Sequence, residues 1–195
     1  MPKPASHAEN IRIIAGKHRS RQIQTPPGVQ TRPTASRTRE SLFDLLITRY
    51  LPQGFHDLVV ADFYAGSGAL GIEALSRGAQ HVDFFEKSGR AIGVLRQNLE
   101  SVGVTNQATV HQQCLHNASP QFSKPPHVVF CDPPYALDAT EMLQRISREV
   151  RDHAILCYEH AQSARPVLKS PWRLRTRRTW GAATVSIFEK VPSAS

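Results

Sequence analysis

Ala61-Asp62-Phe63-Tyr64-Ala65-Gly66-Ser67-Gly68-Ala69-Leu70-Gly71-Ile72-Glu73 sets a turn of glycines between an apolar run and a run of helix formers. Ahead of it, Leu58-Val59-Val60-Ala61 is short, apolar and β-branched at its centre, which suits a buried parallel strand. Behind it, Ala69 to Ser76 favours helix, so the glycines are expected at a strand-to-helix crossing. Gly66 and Gly68 reach backbone angles closed to other residues and let a ligand lie against the main chain. The helix that begins there aims unpaired N–H groups at that ligand.

The spacing Gly66-x-Gly68-x-x-Gly71, with Glu86 about twenty residues further on, matches the dinucleotide fingerprint. Asp62, at the strand end, would repel a pyrophosphate. It would attract a cofactor bearing an ammonium and a sulfonium, while Glu86, ending the next strand Val82-Asp83-Phe84-Phe85, could hold ribose hydroxyls. Charge therefore favours S-adenosylmethionine over a nicotinamide or flavin dinucleotide. The plain alternative is a structural turn capped by Asp62.

The chain has 195 residues, enough for one domain plus an extension, and 40% of them are hydrophobic. Strand-like runs alternate with helix-like runs, which argues for an α/β fold with a mostly parallel sheet. Against 24 Lys plus Arg stand 16 Asp plus Glu, a net charge of +8, so an anionic partner is expected, nucleic acid first. Three cysteines without CxxC spacing support neither a disulfide framework nor a zinc site, and a reducing cytoplasm is the natural home. Nine histidines form no HxxxH or HExxH pair, and no apolar run nears the roughly 18 residues of a membrane span. Neither a metal nor a membrane is expected.

Residues 1 to about 10 look disordered. Ile11–Ile14 and Gln22–Gln24 flank Gly16-Lys17-His18-Arg19-Ser20, which predicts a β-hairpin with a basic loop. From Thr34 or Ser36 to Tyr50 a helix is expected, with Leu42, Phe43, Leu45 and Leu46 on its apolar stripe. Lys17, Arg19, Arg21, Arg32, Arg37 and Arg39 make this segment strongly cationic, and Arg forks suit phosphates. Arg37 and Arg39 fall in the helix's first turn, where cations oppose its dipole, which points to a ligand or, equally, to a solvated helix end.

Ala91 to Val102 predicts a helix and Ala108–His111 an edge strand. His127–Cys131 is a further apolar strand that runs directly into Asp132-Pro133-Pro134-Tyr135. In a doubly wound sheet the carboxyl ends of neighbouring central strands line one crevice, so Asp132 should face the glycine turn. The prolines stiffen the loop and lack N–H donors. The Asp132 carboxylate and the Pro133 carbonyl then form an acceptor cluster for an exocyclic amino group, and Tyr135 offers a flat face for an unstacked base. Thr140–Val150 reads as a helix and Ala154–Tyr158 as a strand ending at Glu159, which is read as a sheet-end cap rather than a site residue. Trp172–Arg178 and Thr184–Phe188 read as a closing hairpin, the first strand of which is rich in arginine.

The combination of Asp62-Phe63-Tyr64-Ala65-Gly66-Ser67-Gly68 with Asp132-Pro133-Pro134-Tyr135 resembles the Rossmann-fold amino-methyltransferases. Gly16, Arg32-Pro33-Thr34, Arg37-x-Arg39-Glu40 and Glu73-Ala74-Leu75-Ser76-Arg77-Gly78-Ala79 narrow the likeness to the RsmD family, over about Ile11 to Lys190. The resemblance implies a doubly wound, mostly parallel seven-stranded sheet and methylation of a guanine N2 amine in 16S ribosomal RNA from S-adenosylmethionine. It implies cofactor contacts from Asp62, Tyr64, Gly66, Gly68 and Glu86, and a base received at Asp132, Pro133, Pro134 and Tyr135. Two departures stand out: Tyr64 replaces a common Phe, and Gln113 stands where the family usually has an acid beside the adenine. Its side-chain oxygen would accept the adenine amine.

The chain is thus expected to comprise a basic RNA-contacting extension over residues 1–52, with Thr34 among its contacts, and a catalytic domain over residues 53–191. A monomer acting on ribosomal RNA, within a small-subunit particle, is expected. The alternatives are an N6-adenine methyltransferase, a non-catalytic RNA-binding module of the same fold, and a dehydrogenase.

Overall fold

A computed structural model describes residues 10–26, 33–116, 119–134 and 136–192, with backbone only at 33–35. The expected contacts at Arg32 and Tyr135, and the side chain of Thr34, lie outside the described residues.

All five residues of β3 (Val59–Phe63) are buried, which is why the strand reads as a continuous apolar run and not as an alternation. Val60 faces one core, with Phe43, Ile72, Phe84 and Phe130, while Ala61 and Phe63 face another, with Phe85, Leu143, Leu156 and Phe188. Two layers of helix and loop must therefore cover the sheet. β3 pairs in parallel with β4 (His81–Glu86) on one side and β6 (Val128–Cys131) on the other. β5 (Ala108–Gln112) and β7 (Ile155–Ala161) extend the parallel sheet outwards. The antiparallel hairpin of β8 (Trp172–Trp180) and β9 (Ala183–Lys190) closes it, giving the order β5-β4-β3-β6-β7-β9-β8. This is the doubly wound, mostly parallel seven-stranded sheet that the family resemblance implies. The strand order reverses between β3 and β6, and a crevice opens at such a point.

The amino-terminal hairpin, β1 (Asn10–Arg12) with β2 (Gln22–Gln24), and α1 (Pro33–Arg49) share the first core, where Ile13, Ile23, Leu42, Phe43 and Leu46 are buried. The Phe43 ring lies 5.1 Å from that of Phe55 and 5.4 Å from that of Phe130. Each such fully buried ring contributes roughly 1.5–3 kcal/mol.

The hairpin is held on α2 (Ala69–Ser76) by one buried acid. Glu73 accepts the N–H groups of Ile14 (2.8 Å) and Ala15 (3.1 Å) and pairs with the Arg77 Nε at 2.7 Å. The Ser76 carbonyl accepts the Lys17 N–H at 2.7 Å, and its hydroxyl links the His18 N–H to the Ala15 carbonyl. Gly16 has φ +84°, and a Cβ there would meet the Ser76 carbonyl oxygen at 1.8 Å. The helix expected over Thr140–Val150 runs as α4 (Thr140–Arg145) and then tightens into a 3-10 turn at Ile146–Arg148, a common helix ending.

Candidate active site

Asp132, the residue after β6, donates its N–H to the carbonyl of Phe63, the last residue of β3, at 3.4 Å. The glycine turn and the Asp132 loop therefore leave the sheet side by side and on the same edge. Tyr64 begins the turn at φ +59°, a left-handed conformation that a bulky side chain rarely adopts. At Gly66 (φ +54°) a Cβ would meet the Tyr64 carbonyl oxygen at 3.9 Å, an ordinary contact with no crowding. At Gly68 the space a Cβ would take is filled by Leu95 of α3 (Gly89–Val102), 2.4 Å from an ideal Cβ. Gly66 thus leaves room for a ligand beside the main chain, whereas Gly68 makes room for the neighbouring helix.

Asp62 is buried, and its Oδ2 accepts the Gly71 N–H at 2.8 Å, holding the first turn of α2. Burial drives its carboxyl up to about 8; the Gly71 bond opposes this, and the charges of Asp132 and Glu86 reinforce it. Glu86 ties the turn to α3: Oε2 accepts the Gly66 N–H at 3.0 Å, and Oε1 accepts the N–H of Ser88, the N-cap, at 2.8 Å. Asp132 is open to solvent on one side and crowded by protein on the other. That crowding, then the charge of Glu159, pushes its carboxyl up to about 7.

An acid therefore lies at or near the carboxyl end of each of four adjacent strands: Asp62 within β3, Glu86 ending β4, Asp132 after β6 and Glu159 within β7. A cationic cofactor would favour the ionised form of these acids, whereas a pyrophosphate would oppose it. On the β4 side a cleft of about 50 Å³ is lined by residues that include Tyr64, Phe85, Glu86, Lys87, Gln113 and Leu137. Small-molecule sites start near 300 Å³, so a nucleoside would have to widen it. The Gln113 Nε2 donates to the Ser119 carbonyl at 2.8 Å, which leaves the side-chain oxygen as the acceptor end. On the β7 side a second cavity of about 330 Å³ is lined by residues that include Pro133, Tyr158 and Glu159. Leu137 lines both. Pro133 is buried and Pro134 exposed, and the Pro134 carbonyl accepts the Leu137 N–H at 2.8 Å, which closes the loop between the two cavities.

The cationic residues separate into three settings. Lys17, Arg19 and Arg37 are exposed. Lys17 sits at the Ser76 end of α2, and eight residues of helix, about 12 Å, separate that end from the glycine turn. Arg21 is exposed, but its Nη1 donates to the last carbonyls of α3, Ser101 (3.3 Å) and Val102 (3.0 Å). Arg39 departs from the expectation of an RNA contact: it is 6% exposed, and its Nη2 donates to the Arg12 carbonyl at 2.7 Å. The cation instead props the hairpin against α1.

Sequence reading missed Leu137 and the anchoring role of Glu73, which no local pattern marks. Glu159 carried a usable signal, since it follows the apolar run Ala154–Tyr158 as Asp132 follows His127–Cys131.

A family model described as conserved hypothetical protein 95 matches residues 11–189. The ribosomal RNA small subunit methyltransferase D of Escherichia coli (strain K12) is 30% identical over 195 residues, covering 97% of this chain and 96% of its own length. The enzyme of the same name from Haemophilus influenzae is 31% identical over 185 residues, covering 92% and 93%. Among solved structures, the candidate methyltransferase yhhF of Escherichia coli superposes with a TM-score of 0.81 at 27% identity, over 94% of this chain and 99% of that one.

Proposed function

The chain belongs to the conserved hypothetical protein 95 family, that of RsmD, and on that premise we propose that this ribosomal RNA methyltransferase modifies the exocyclic N2 amine of a guanine in the small-subunit RNA, with S-adenosylmethionine as donor. The observation that carries the reading is the Asp132–Phe63 contact, which sets an amine-accepting loop beside the glycine turn.

When bound, the cofactor supplies an electrophilic methyl on its sulfonium. The chain's own groups supply position and charge. Glu86 retains lone pairs for ribose hydroxyls beyond the two N–H groups it already accepts, and the Gln113 oxygen takes the adenine amine. Asp62 holds α2 in place, and a bound cation would favour the loss of its proton. The ionised Asp132 and the Pro133 carbonyl accept the amine's two N–H groups. They turn its lone pair out of the ring and offset the positive charge that develops on nitrogen, while Tyr135 stacks on the base. No side-chain nucleophile is required.

Lys17, Arg19 and Arg37 contact phosphates. Lys17 lies a helix length from the crevice, so the substrate is a broad folded RNA such as a small-subunit particle. A monomeric, cytoplasmic enzyme is part of the same reading. Among the described residues there is no group of side chains that could hold a metal ion and no helix long and apolar enough to cross a membrane.

The test is to incubate small-subunit particles from cells lacking this protein with the full chain and labelled S-adenosylmethionine, then to analyse the RNA nucleosides. Labelled N2-methylguanosine is expected. N6-methyladenosine would move the substrate to adenine, and no methyl transfer despite calorimetric cofactor binding would leave an RNA-binding module.

A further inference from the structure

Tyr158 of β7 is in register with Cys131 of β6, so Glu159, within β7, lies level with Asp132, the residue after the adjacent parallel strand β6. The charge of Glu159 raises the Asp132 carboxyl, secondary to burial. Glu159 lines the cavity of about 330 Å³ together with Pro133, Leu137, Tyr158, His160 and Arg165, a volume at the lower end of small-molecule sites and suited to a single unstacked nucleotide. The walls of this cavity are set by hydrogen bonds. The Tyr158 hydroxyl accepts the Ala139 N–H, the His160 Nε2 bonds the Ser186 hydroxyl, and the Arg165 Nη1 donates to the Gln162 and Ala164 carbonyls.

Next to its N2 amine, guanine carries an N1–H, a donor. Next to its N6 amine, adenine carries an N1 lone pair, an acceptor. Asp132 as an amine acceptor serves either base. A second carboxylate beside it matches the guanine edge, with two donors side by side, and sets charge against the adenine lone pair. Resting on the reading that Asp132 receives the target amine, we propose that Glu159 accepts the N1–H of that base and thereby selects guanine over adenine. Glu159 is then a specificity residue that touches the substrate, not a sheet-end cap.

The test uses the full chain and small-subunit particles reconstituted with RNA that carries either guanine or 2-aminopurine at the position the wild-type protein methylates. 2-Aminopurine keeps the N2 amine and replaces N1–H by a lone pair. The wild type is expected to prefer guanine by about 100-fold or more in kcat/KM, because a half-buried acceptor left facing a lone pair loses its partner. In Glu159→Gln the side-chain amide donates to that lone pair, and the preference should shrink to within about threefold. Glu159→Asp, which keeps the charge, should turn over more slowly and still prefer guanine. Wild-type melting temperature and S-adenosylmethionine affinity in both variants would show that the fold persists. A Glu159→Gln enzyme that makes N2-methylguanosine with undiminished preference overturns the assignment to Glu159 and leaves the proposed activity standing. A wild type that makes no N2-methylguanosine at all overturns both.

Discussion

The N–H of Asp132 donates to the carbonyl of Phe63 at 3.4 Å, so the residue that would grip an amine and the strand that feeds the glycine turn meet at one edge of the sheet. Asp132→Ala is accordingly expected to bind S-adenosylmethionine within about threefold of wild type and to lose on the order of 100-fold or more in methyl transfer, the scale of removing a preorganised acceptor. Single-turnover kinetics with calorimetry measures both. Near-normal turnover would remove Asp132 from the chemistry.

The same carboxyl predicts a pH profile. Crowding and Glu159 push it up to about 7, and only its ionised form accepts N–H groups. Methyl transfer should therefore fall about tenfold per pH unit below 7, far above the range of an ordinary carboxylate. Glu159→Gln removes a like charge and should move this acid limb to lower pH. A limb that stays in place would assign it to another group.

Asp62 is expected to make stability depend on pH. In the unfolded chain it titrates near 3.8, and in the fold it keeps its proton to about 8. The folded state thus binds more protons between these values, and its stability declines as pH rises through that window. Asp62→Asn keeps an oxygen for the Gly71 N–H and removes the titration. Its melting temperature should vary less between pH 5 and 8. An unchanged slope in thermal melts would point elsewhere.

Arg39 and the exposed cations should separate in experiment. Lys17→Ala with Arg19→Ala and Arg37→Ala should weaken binding to small-subunit RNA and reduce the slope of log affinity against log salt by up to about three. Arg39→Ala should leave that slope unchanged and lower the melting temperature, because its guanidinium is buried against the Arg12 carbonyl.

Glu73→Ala should cost about 3 kcal/mol in denaturant unfolding, since it strands the Ile14 and Ala15 N–H groups and the Arg77 cation in the interior. Limited proteolysis should then cut the hairpin first. A hairpin that stays protected would place its anchorage elsewhere.

Much of this molecule is written in local chemistry. The apolar runs at Val59–Phe63 and Val128–Cys131, the glycines between 66 and 71, and the stiff Asp132-Pro133-Pro134 segment each announce their conformation through sterics and burial that act within a few residues. The order of those runs suffices for a doubly wound sheet, because right-handed crossovers leave few other topologies. Charge at the strand ends, a property of composition and spacing, already favours a cationic cofactor.

What lay beyond local reading depends on residues distant in the chain. Arg37 and Arg39 are near-identical in sequence terms, yet one is exposed and the other is sealed under the hairpin, a difference fixed by the helix period and by where Arg12 lands. Glu73 looks like any helical glutamate until residues 14 and 15 fold back upon it. Leu137 comes to line two cavities, and Glu159 comes level with Asp132, through the pairing of β6 with β7. Pairing register and burial are properties of the assembled sheet, and no single stretch of chain carries them.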